Sequence, residues 1–447
     1  MDPGVKLLAL LHLLLLGAQA TVAADPGSDH ARSLLERDVL LGELGGNRTA
    51  LEDRGVDFSL LYIQEYLGVV AGGIVRRGES NGLLQIDLNL DLEKLAGWRG
   101  ALLHATGFVG WGRSLSGLWI GDDSNVSNIN MRNGARFFDA YLQQSFGEVL
   151  FIRAGFLSTD TEFTSSTVED THSRGGALFI NSDFGAPPIL TLNVPVPTFP
   201  LAVPGVTGTL AFTSALRLRA GIYDGQPLPA TPSDDRNAYG LDPDLRASDG
   251  ALFVAELEYD VNPSAEAGTG KETKTPPPSR RLGGCYRIGA FYHTGTFTEW
   301  TSSRSTQGLG GGWISGNQMV WREPGQRDED DQGLSIFLRV STAPRDRSVL
   351  EFCADGGLHY HGLLPGRPED DLGLGVSRKR YSRDFSRSER AAGNAGRDHE
   401  TIVELSYIAT VTPWLAVQPD VQYVIHPAGQ HSAADALVAG LRVTMSF

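Results

Sequence analysis

The C-terminal stretch 436–447 alternates between an apolar face and a mixed face and ends on an aromatic residue, Phe447. The apolar face would carry Leu437, Ala439, Leu441, Val443, Met445 and Phe447, and the other face Val438, Gly440, Arg442, Thr444 and Ser446. Successive side chains of a strand point to opposite faces, so the stretch predicts a β-strand. Such a strand at a chain end is typical of the closing strand of an outer-membrane barrel, and a terminal strand of a soluble β-sandwich is the alternative.

The N-terminus has the pattern of an export signal. Lys6 precedes an apolar run, 7–16, which small residues follow. We therefore predict a signal peptide over residues 1–24, cleaved after Ala20 or Ala24. The one later candidate for a spanning helix, 187–212, is interrupted by prolines. An exported chain of this kind would cross a membrane only with strands.

Alternating segments recur along the rest of the chain, most clearly at 83–93, where leucine and isoleucine alternate with polar residues. The predicted strands are 56–67, 83–93, 100–110, 135–145, 149–157, 206–213, 216–223, 251–260, 285–294, 316–322, 333–341, 348–360, 371–379, 399–411, 414–426 and 436–447. Bacterial single-chain barrels have an even number of such strands. We predict an all-β domain at 55–447, a transmembrane antiparallel β-barrel of about 16 strands, after a periplasmic N-terminal segment at 25–54.

The connections between these segments differ in length in the way a barrel requires. With both chain ends in the periplasm, most predicted inner turns are short, whereas the predicted outer loops at 111–134, 158–205, 224–250, 295–315 and 380–398 are long. The longest, 158–205, contains aromatic residues, prolines and short polar residues. We expect this extracellular loop to fold into the lumen and narrow it.

The polar faces of the predicted strands carry charges of both signs, including Asp87, Arg217 and Arg219. Such charges are costly in a dry core but not along a water-filled wall. A barrel of this size is too wide to be filled by side chains, so the pattern predicts an aqueous pore. A β-sandwich with a solvated outer face is the alternative.

Composition excludes several other classes of function. The net charge is −15, which argues against nucleic-acid binding because that function requires a basic surface.

The two cysteines, Cys285 and Cys353, are expected to be free thiols, although a single disulfide between them is the alternative. His359 and His361 share a strand face, but no third ligand can be placed, so we predict neither a metal site nor a cofactor. The glycine-rich run 308–312 is interpreted as a loop.

The chain resembles the carbohydrate-selective porins of the OprB family over nearly all of its expected mature length. The matching blocks are 90–98 (LDLEKLAGW), 127–129 (SNI), 143–147 (QQSFG), 150–155 (LFIRAG), 160–163 (DTEF), 179–182 (FINS), 219–225 (RAGIYDG), 292–295 (YHTG), 318–325 (QMVWREPG), 354–358 (ADGGL), 365–367 (PGR) and 418–427 (QPDVQYVIHP). The resemblance implies an outer-membrane barrel through which glucose and similar neutral sugars diffuse.

Selecting a sugar requires an apolar ring surface and groups that grip neighbouring hydroxyls. The residues expected near the constriction are Trp111, Arg153, Asp160, Glu162 and His293, with Asp87, Arg217 and Arg219 lining the pore. The terminal Phe447 resembles the C-terminal signal that the outer-membrane assembly machinery reads.

We therefore expect a channel of the bacterial outer membrane, not an enzyme, for the passive, selective diffusion of monosaccharides and related small neutral carbohydrates into the periplasm. A general or non-sugar solute porin and an outer-membrane barrel enzyme are the alternatives. Its expected partners are glucose-like sugars, outer-membrane lipid and the assembly machinery, with no nucleic acid. The chain would be a monomer or a homotrimer.

Overall fold

A computed structural model describes residues 33–160, 162–163, 177–227, 237, 239–240, 242–262, 282–324 and 332–447. The strands are β1 (Val56–Gly72), β2 (Gly78–Asp91), β3 (Ala101–Trp111), β4 (Gly134–Phe146), β5 (Leu150–Leu157), β6 (Val203–Ala211), β7 (Leu216–Asp224), β8 (Ala251–Val261), β9 (Gly284–Thr298), β10 (Ser305–Arg322), β11 (Gly333–Thr342), β12 (Leu350–His361), β13 (Asp371–Tyr381), β14 (His399–Thr412), β15 (Leu415–Ile425) and β16 (Ala436–Ser446). The helices are α1 (Asn47–Asp53), α2 (Leu92–Ala96), α3 (Pro188–Thr191) and α4 (Arg383–Ala391). The predicted signal peptide, residues 1–24, lies outside the described residues.

Every strand pairs antiparallel with its sequence neighbours, and β1 pairs with β16, so the sheet closes on itself. Closure leaves no unpaired strand edge, which a sheet surrounded by lipid must avoid. The register of the closing pair sets Glu65 opposite Arg442. The predicted barrel of about sixteen antiparallel strands is confirmed.

The two faces of the sheet differ as the alternation predicts. Outward side chains are apolar and exposed, as for Ile288, Ile314 and Leu338. Inward ones include charged groups with almost no exposed surface, such as Glu404 and Arg442. In a soluble protein the apolar side chains face inward and the charged ones outward. The opposite arrangement seen here requires lipid around the barrel, because large exposed apolar surfaces are unfavourable in water.

The strand β10 begins much earlier than predicted, at Ser305, so the glycine-rich run 308–312 lies in a strand. Both the loop interpretation of this run and the long outer loop predicted at 295–315 are therefore wrong, and β9 and β10 join through 299–304. Close packing explains the glycines: a Cβ atom on Gly308 would lie only 2.0 Å from the Tyr292 hydroxyl oxygen. Gly308 also has φ +81°, in the left-handed region that favours glycine, so this residue suits the strand although glycine is usually a loop signal.

Residues 33–54 pack at the end of the barrel where the short turns lie. The Leu40 N–H donates to the Ser446 carbonyl at 2.9 Å, and the Trp414 ring N–H donates to the Leu34 carbonyl at 2.8 Å. The terminal residue follows β16 and is bonded to β1, since the Phe447 N–H donates to the Leu60 carbonyl at 2.9 Å. Within the described residues, no helix is long and apolar enough to span a membrane.

Much of the hydrophobic core lies inside the barrel, where loop residues pack against inward-facing strand residues. One cluster joins loop residues Phe179 and Phe184 to Phe337 of β11. A second joins Ile189 and Leu190 of the same loop to other strands. The lumen is therefore only partly an open channel, and the loops decide where it stays open.

Candidate pore constriction

The described parts of the loop between β5 and β6, residues 158–160, 162–163 and 177–202, lie inside the barrel. The Asn193 side chain exchanges two hydrogen bonds with the backbone of Leu350 on β12, at 2.9 and 2.8 Å. The Arg339 guanidinium of β11 donates to the Asp183 carbonyl at 2.7 Å. Further bonds join the loop to Glu404, Gln418 and Gln422. These partners lie across the lumen from β5, so the loop spans the pore.

A second loop, residues 112–133 between β3 and β4, also turns inward, which the sequence did not predict. The hydroxyl of Ser124 lies 2.8 Å from a carboxylate oxygen of Asp183 in the first loop. Arg442 of β16 donates to the side-chain oxygen of Asn128 at 2.7 Å. The two loops therefore hold each other and the wall, and they narrow the pore together.

A buried ionic network fixes this junction. The Lys379 ammonium lies 2.6 Å from Glu400 and 3.1 Å from Asp183, and the three side chains expose 0%, 0% and 4% of their surface. Removing one partner of a buried ion pair costs about 3–5 kcal/mol, because the remaining charge is left uncompensated. The network therefore holds the loops in one arrangement.

A cavity of about 860 Å³ remains between the two loops and the wall formed by β1 to β5. Its volume lies within the range of about 300–1,000 Å³ typical of sites for small ligands. The strands supply one side of the cavity and the two loops the other.

Three phenylalanines form an apolar surface in this cavity. Phe108 of β3 and Phe138 of β4 stack with ring centroids 4.8 Å apart, and Phe199 of the inward loop lies 5.1 Å from Phe108. Aromatic faces of this kind can cover the apolar C–H surface of a sugar ring.

Arg153 of β5 lies beside this surface with its guanidinium partly engaged. Its Nε donates to Gln143 at 2.8 Å, one terminal nitrogen donates to the Glu162 carboxylate, and its carbon lies 5.0 Å from the centroid of the Tyr141 ring. A guanidinium has five N–H donors. In the described part of the chain these two bonds leave three donors, and 27% of the side chain is exposed to the lumen. Arg153 can therefore donate to a solute while its position stays fixed.

Polar groups of β2, β3 and β4 line the neighbouring part of the cavity. The Thr106 hydroxyl donates to Asp87 at 2.7 Å. The His104 ring lies 2.9 Å from Thr106 and 3.3 Å from Asp139. Carboxylates held in place by neighbours are suited to accepting hydrogen bonds from hydroxyl groups. The cavity thus combines acceptors, donors and an apolar surface.

Four of the expected site residues come together here. Asp87, Arg153 and Asp160 line the cavity, and Glu162 pairs with Arg153. Asp160 also accepts a hydrogen bond from the Phe199 backbone, which connects the start of the inward loop to its end.

Arg217 and Arg219 do not line the cavity. They belong to an ionic cluster on the wall of β7, β8 and β9, where both pair with Glu258. Arg287 also donates to Glu258, at 2.7 Å. The Glu258 carboxylate is thus shared by three guanidiniums, so these charges pair with one another within the wall.

The predicted positions of Trp111 and His293 at the constriction are wrong. Trp111 follows the lumen-facing Phe108 by an odd number of residues, so it faces outward, where its ring lies 5.8 Å from that of Tyr62. His293 is buried, and its two ring nitrogens lie 2.8 Å from the Gly225 carbonyl oxygen and 3.0 Å from the Gly295 nitrogen. It holds the first residue after β7, Gly225.

Several residues of the cavity were not predicted from the sequence: His104, Phe108, Phe138, Asp139, Tyr141 and Phe199. A signal for Phe108 and His104 existed, because they share the parity of Thr106 within β3. No such signal existed for Phe199, because only the path of its loop brings this residue to β3.

The statement that His359 and His361 lack a third ligand partner is also wrong. A carboxylate oxygen of Asp371 lies 2.7 Å from one ring and 2.8 Å from the other. The strand pairing of β12 with β13 brings the three together, and all are buried. The expected free thiols are confirmed, because Cys285 and Cys353 form no disulfide.

A closed sixteen-strand barrel with an apolar outer face and a lumen narrowed by inward loops is the architecture of an outer-membrane porin. The model of the carbohydrate-selective porin family, OprB, matches residues 76–447. The chain belongs to this family, and it is an outer-membrane channel for sugars.

Individual relatives agree with this assignment. The chain is 26% identical to Porin B of Pseudomonas aeruginosa over 91% of each chain. It is 25% identical to the putative porin QuiX of Acinetobacter baylyi over 98% of this chain and 99% of that one. The high-pH structure of Pseudomonas putida OprB superposes with a TM-score of 0.79 at 24% identity, covering 93% of this chain and all of that chain.

Proposed function

We propose that the cavity lined by Phe108, Phe138 and Phe199 is the site at which the channel selects a small neutral monosaccharide such as glucose. The observation that carries this proposal is the presence of the aromatic surface, Arg153 and Asp87 in one cavity. A pyranose has an apolar ring face and a rim of hydroxyls, so it matches both kinds of group at once.

The same geometry suits passage rather than retention. Arg153 and the carboxylates already have protein partners. An entering sugar would therefore only replace water at these groups, and its departure would leave no charged side chain without a partner. Binding of this kind is weak enough for the sugar to leave, as conduction requires. Because the Lys379 network holds the loops, the size of the opening would stay constant while solutes pass.

A general solute porin is the second candidate, and one observation favours it. The cavity contains more carboxylates than guanidiniums, with Asp87, Asp139 and Asp160 beside Arg153. An excess of carboxylates would attract small cations whether or not a sugar fits. The two candidates differ in whether stereochemistry matters, because a general pore discriminates by size and charge.

A liposome-swelling series separates the two. We expect glucose to enter faster than a non-sugar polyol of equal mass, and a disaccharide to enter much more slowly than either. Swelling rates that depend only on solute mass would favour the general porin and contradict the proposed site.

Assembly and interactions remain proposals as well. We propose that residues 1–24 direct export, that 25–54 form a periplasmic segment, and that the barrel is 55–447. The exposed apolar strand faces support contact with outer-membrane lipid, and Phe447, bonded to β1 at the end of the last strand, supports recognition by the assembly machinery. A monomer and a homotrimer are both compatible with this barrel, and cross-linking of the protein in membranes would distinguish them.

A further inference from the structure

Three histidines converge at the outer rim of the barrel, away from the pore cavity. His399 begins β14, and His426 directly follows β15, whereas His431 lies in the loop that leads to β16. They come from two adjacent outer loops, 382–398 and 426–435, or from the strand ends beside them. Asp398, at the end of the first loop, completes the group.

The ligand atoms are close together. A ring nitrogen of His426 lies 3.4 Å from one of His399, and the other lies 3.2 Å from a nitrogen of His431. Asp398 places a carboxylate oxygen 3.0 Å from His399 and 3.3 Å from His431. One ligand atom from each of the three histidines can be chosen so that all lie within 4.8 Å of one another.

A single ion takes one nitrogen from each histidine, so the set that lies within 4.8 Å is the relevant one, and small side-chain rotations would bring its members to the spacing found around a transition metal. Metal–nitrogen bonds of about 2.0–2.1 Å place the ligand atoms of a tetrahedral site about 3.4 Å apart. Imidazole nitrogens suit zinc, copper and nickel, whereas magnesium and calcium prefer oxygen ligands. Asp398 also contacts the histidines, as carboxylates often do around bound zinc.

The backbone orients His426 toward the group in an uncommon way. His426 has φ 52° and ψ 65°, and Ala428 has φ 51°, so two non-glycine residues in three occupy the left-handed region. Strained residues of this kind concentrate at functional sites. The site is also accessible, because 56% of the His431 side chain is exposed.

We infer that His399, His426 and His431 form a binding site for a divalent transition metal such as zinc, with Asp398 or water completing the coordination. The bound ion would cross-link the two outer loops. The site borders the network that holds the pore loops: Glu400 follows His399 and accepts a hydrogen bond from the Ala428 N–H. The ion would therefore stabilise the rim immediately above the Lys379 junction.

The test uses the full-length, tag-free protein in detergent, titrated with Zn²⁺ alone against a chromophoric competitor and with Co²⁺ for visible spectroscopy. We expect one Zn²⁺ per chain and the intense visible bands of tetrahedral Co²⁺. Outer-shell changes alone weaken metal sites by about 10–100-fold. Losing a direct ligand in His431→Asn or His426→Asn should therefore weaken Zn²⁺ binding by at least about tenfold.

The second histidine group supplies the matched control. His361→Asn removes an imidazole beside Asp371, where the carboxylate already bonds both rings, and should leave Zn²⁺ affinity unchanged. Asparagine is chosen at His426 because it tolerates the left-handed region. Heat-modifiable gel mobility verifies that each variant is folded. Absence of stoichiometric binding, equal affinity in His431→Asn, or loss of binding in His361→Asn would overturn the inference.

Discussion

Replacing Arg153 tests the proposed sugar site at its main hydrogen-bond donor. Arg153→Ala removes the guanidinium beside the aromatic surface but also leaves the Glu162 carboxylate, which is 8% exposed, without its partner. The double variant Arg153→Ala/Glu162→Gln removes both charges. An effect common to the two variants is therefore caused by loss of the Arg153 guanidinium and not by the unpaired Glu162 carboxylate.

The expected magnitude follows from the geometry. Hydrogen bonds to charged groups contribute about 1.5–3 kcal/mol. Water competes for a side chain that is 27% exposed, so we take the lower end of that range. Since about 1.4 kcal/mol corresponds to a tenfold change in affinity, the concentration of glucose that half-blocks the ion current should rise about tenfold. Conductance without sugar should also rise, because a large side chain leaves the constriction.

Single-channel recording in planar bilayers measures both quantities. Arg217→Ala is the matched control, because Arg217 is a lumen arginine in an ion pair that does not line the cavity. We expect its glucose block to match that of the parent protein. If Arg153→Ala leaves conductance and glucose block unchanged, or if Arg217→Ala alters glucose block equally, the constriction lies elsewhere.

Two further predictions concern the loops and assembly. Lys379→Met leaves Asp183 and Glu400 buried without their cation, so calorimetry should show a free energy of unfolding lower by about 3–5 kcal/mol, and single-channel recordings should show a larger, noisier conductance. Arg378 is exposed, so Arg378→Met should change neither quantity. Equal effects of the two substitutions would contradict the role of the network. Deleting Phe447 removes one backbone bond to β1 and should lower the amount of inserted barrel without blocking export, whereas Phe447→Tyr should insert normally. Normal insertion of the deletion variant, measured by membrane fractionation, would refute the assembly signal.

The sequence predicted the barrel well because each strand carries its own alternation. Residues such as Leu441 and Arg442 show by parity alone which face meets lipid and which meets the lumen. The glycine-rich part of β10 was missed because Gly308 lies beside the Tyr292 ring of the neighbouring strand with φ +81°, and neither feature can be seen in the local sequence.

The site was predicted less completely because it is built from contacts between distant segments. Asp87 and Arg153 follow from strand parity, but Phe199 reaches the cavity only through the path of its loop. Trp111 was misplaced because the strand was predicted to end at residue 110, which assigned Trp111 to the loop, whereas β3 includes it. Asp371 joins His359 only through pairing between strands, which no single segment reveals.

A structure of the protein soaked with glucose tests the central claim most directly. The sugar should lie with its ring face against Phe108, Phe138 or Phe199 and with hydroxyls within hydrogen-bond distance of Arg153 and Asp87. A sugar bound instead at the Glu258 cluster, or an empty aromatic cavity in a protein whose glucose transport still saturates, would contradict the proposed site.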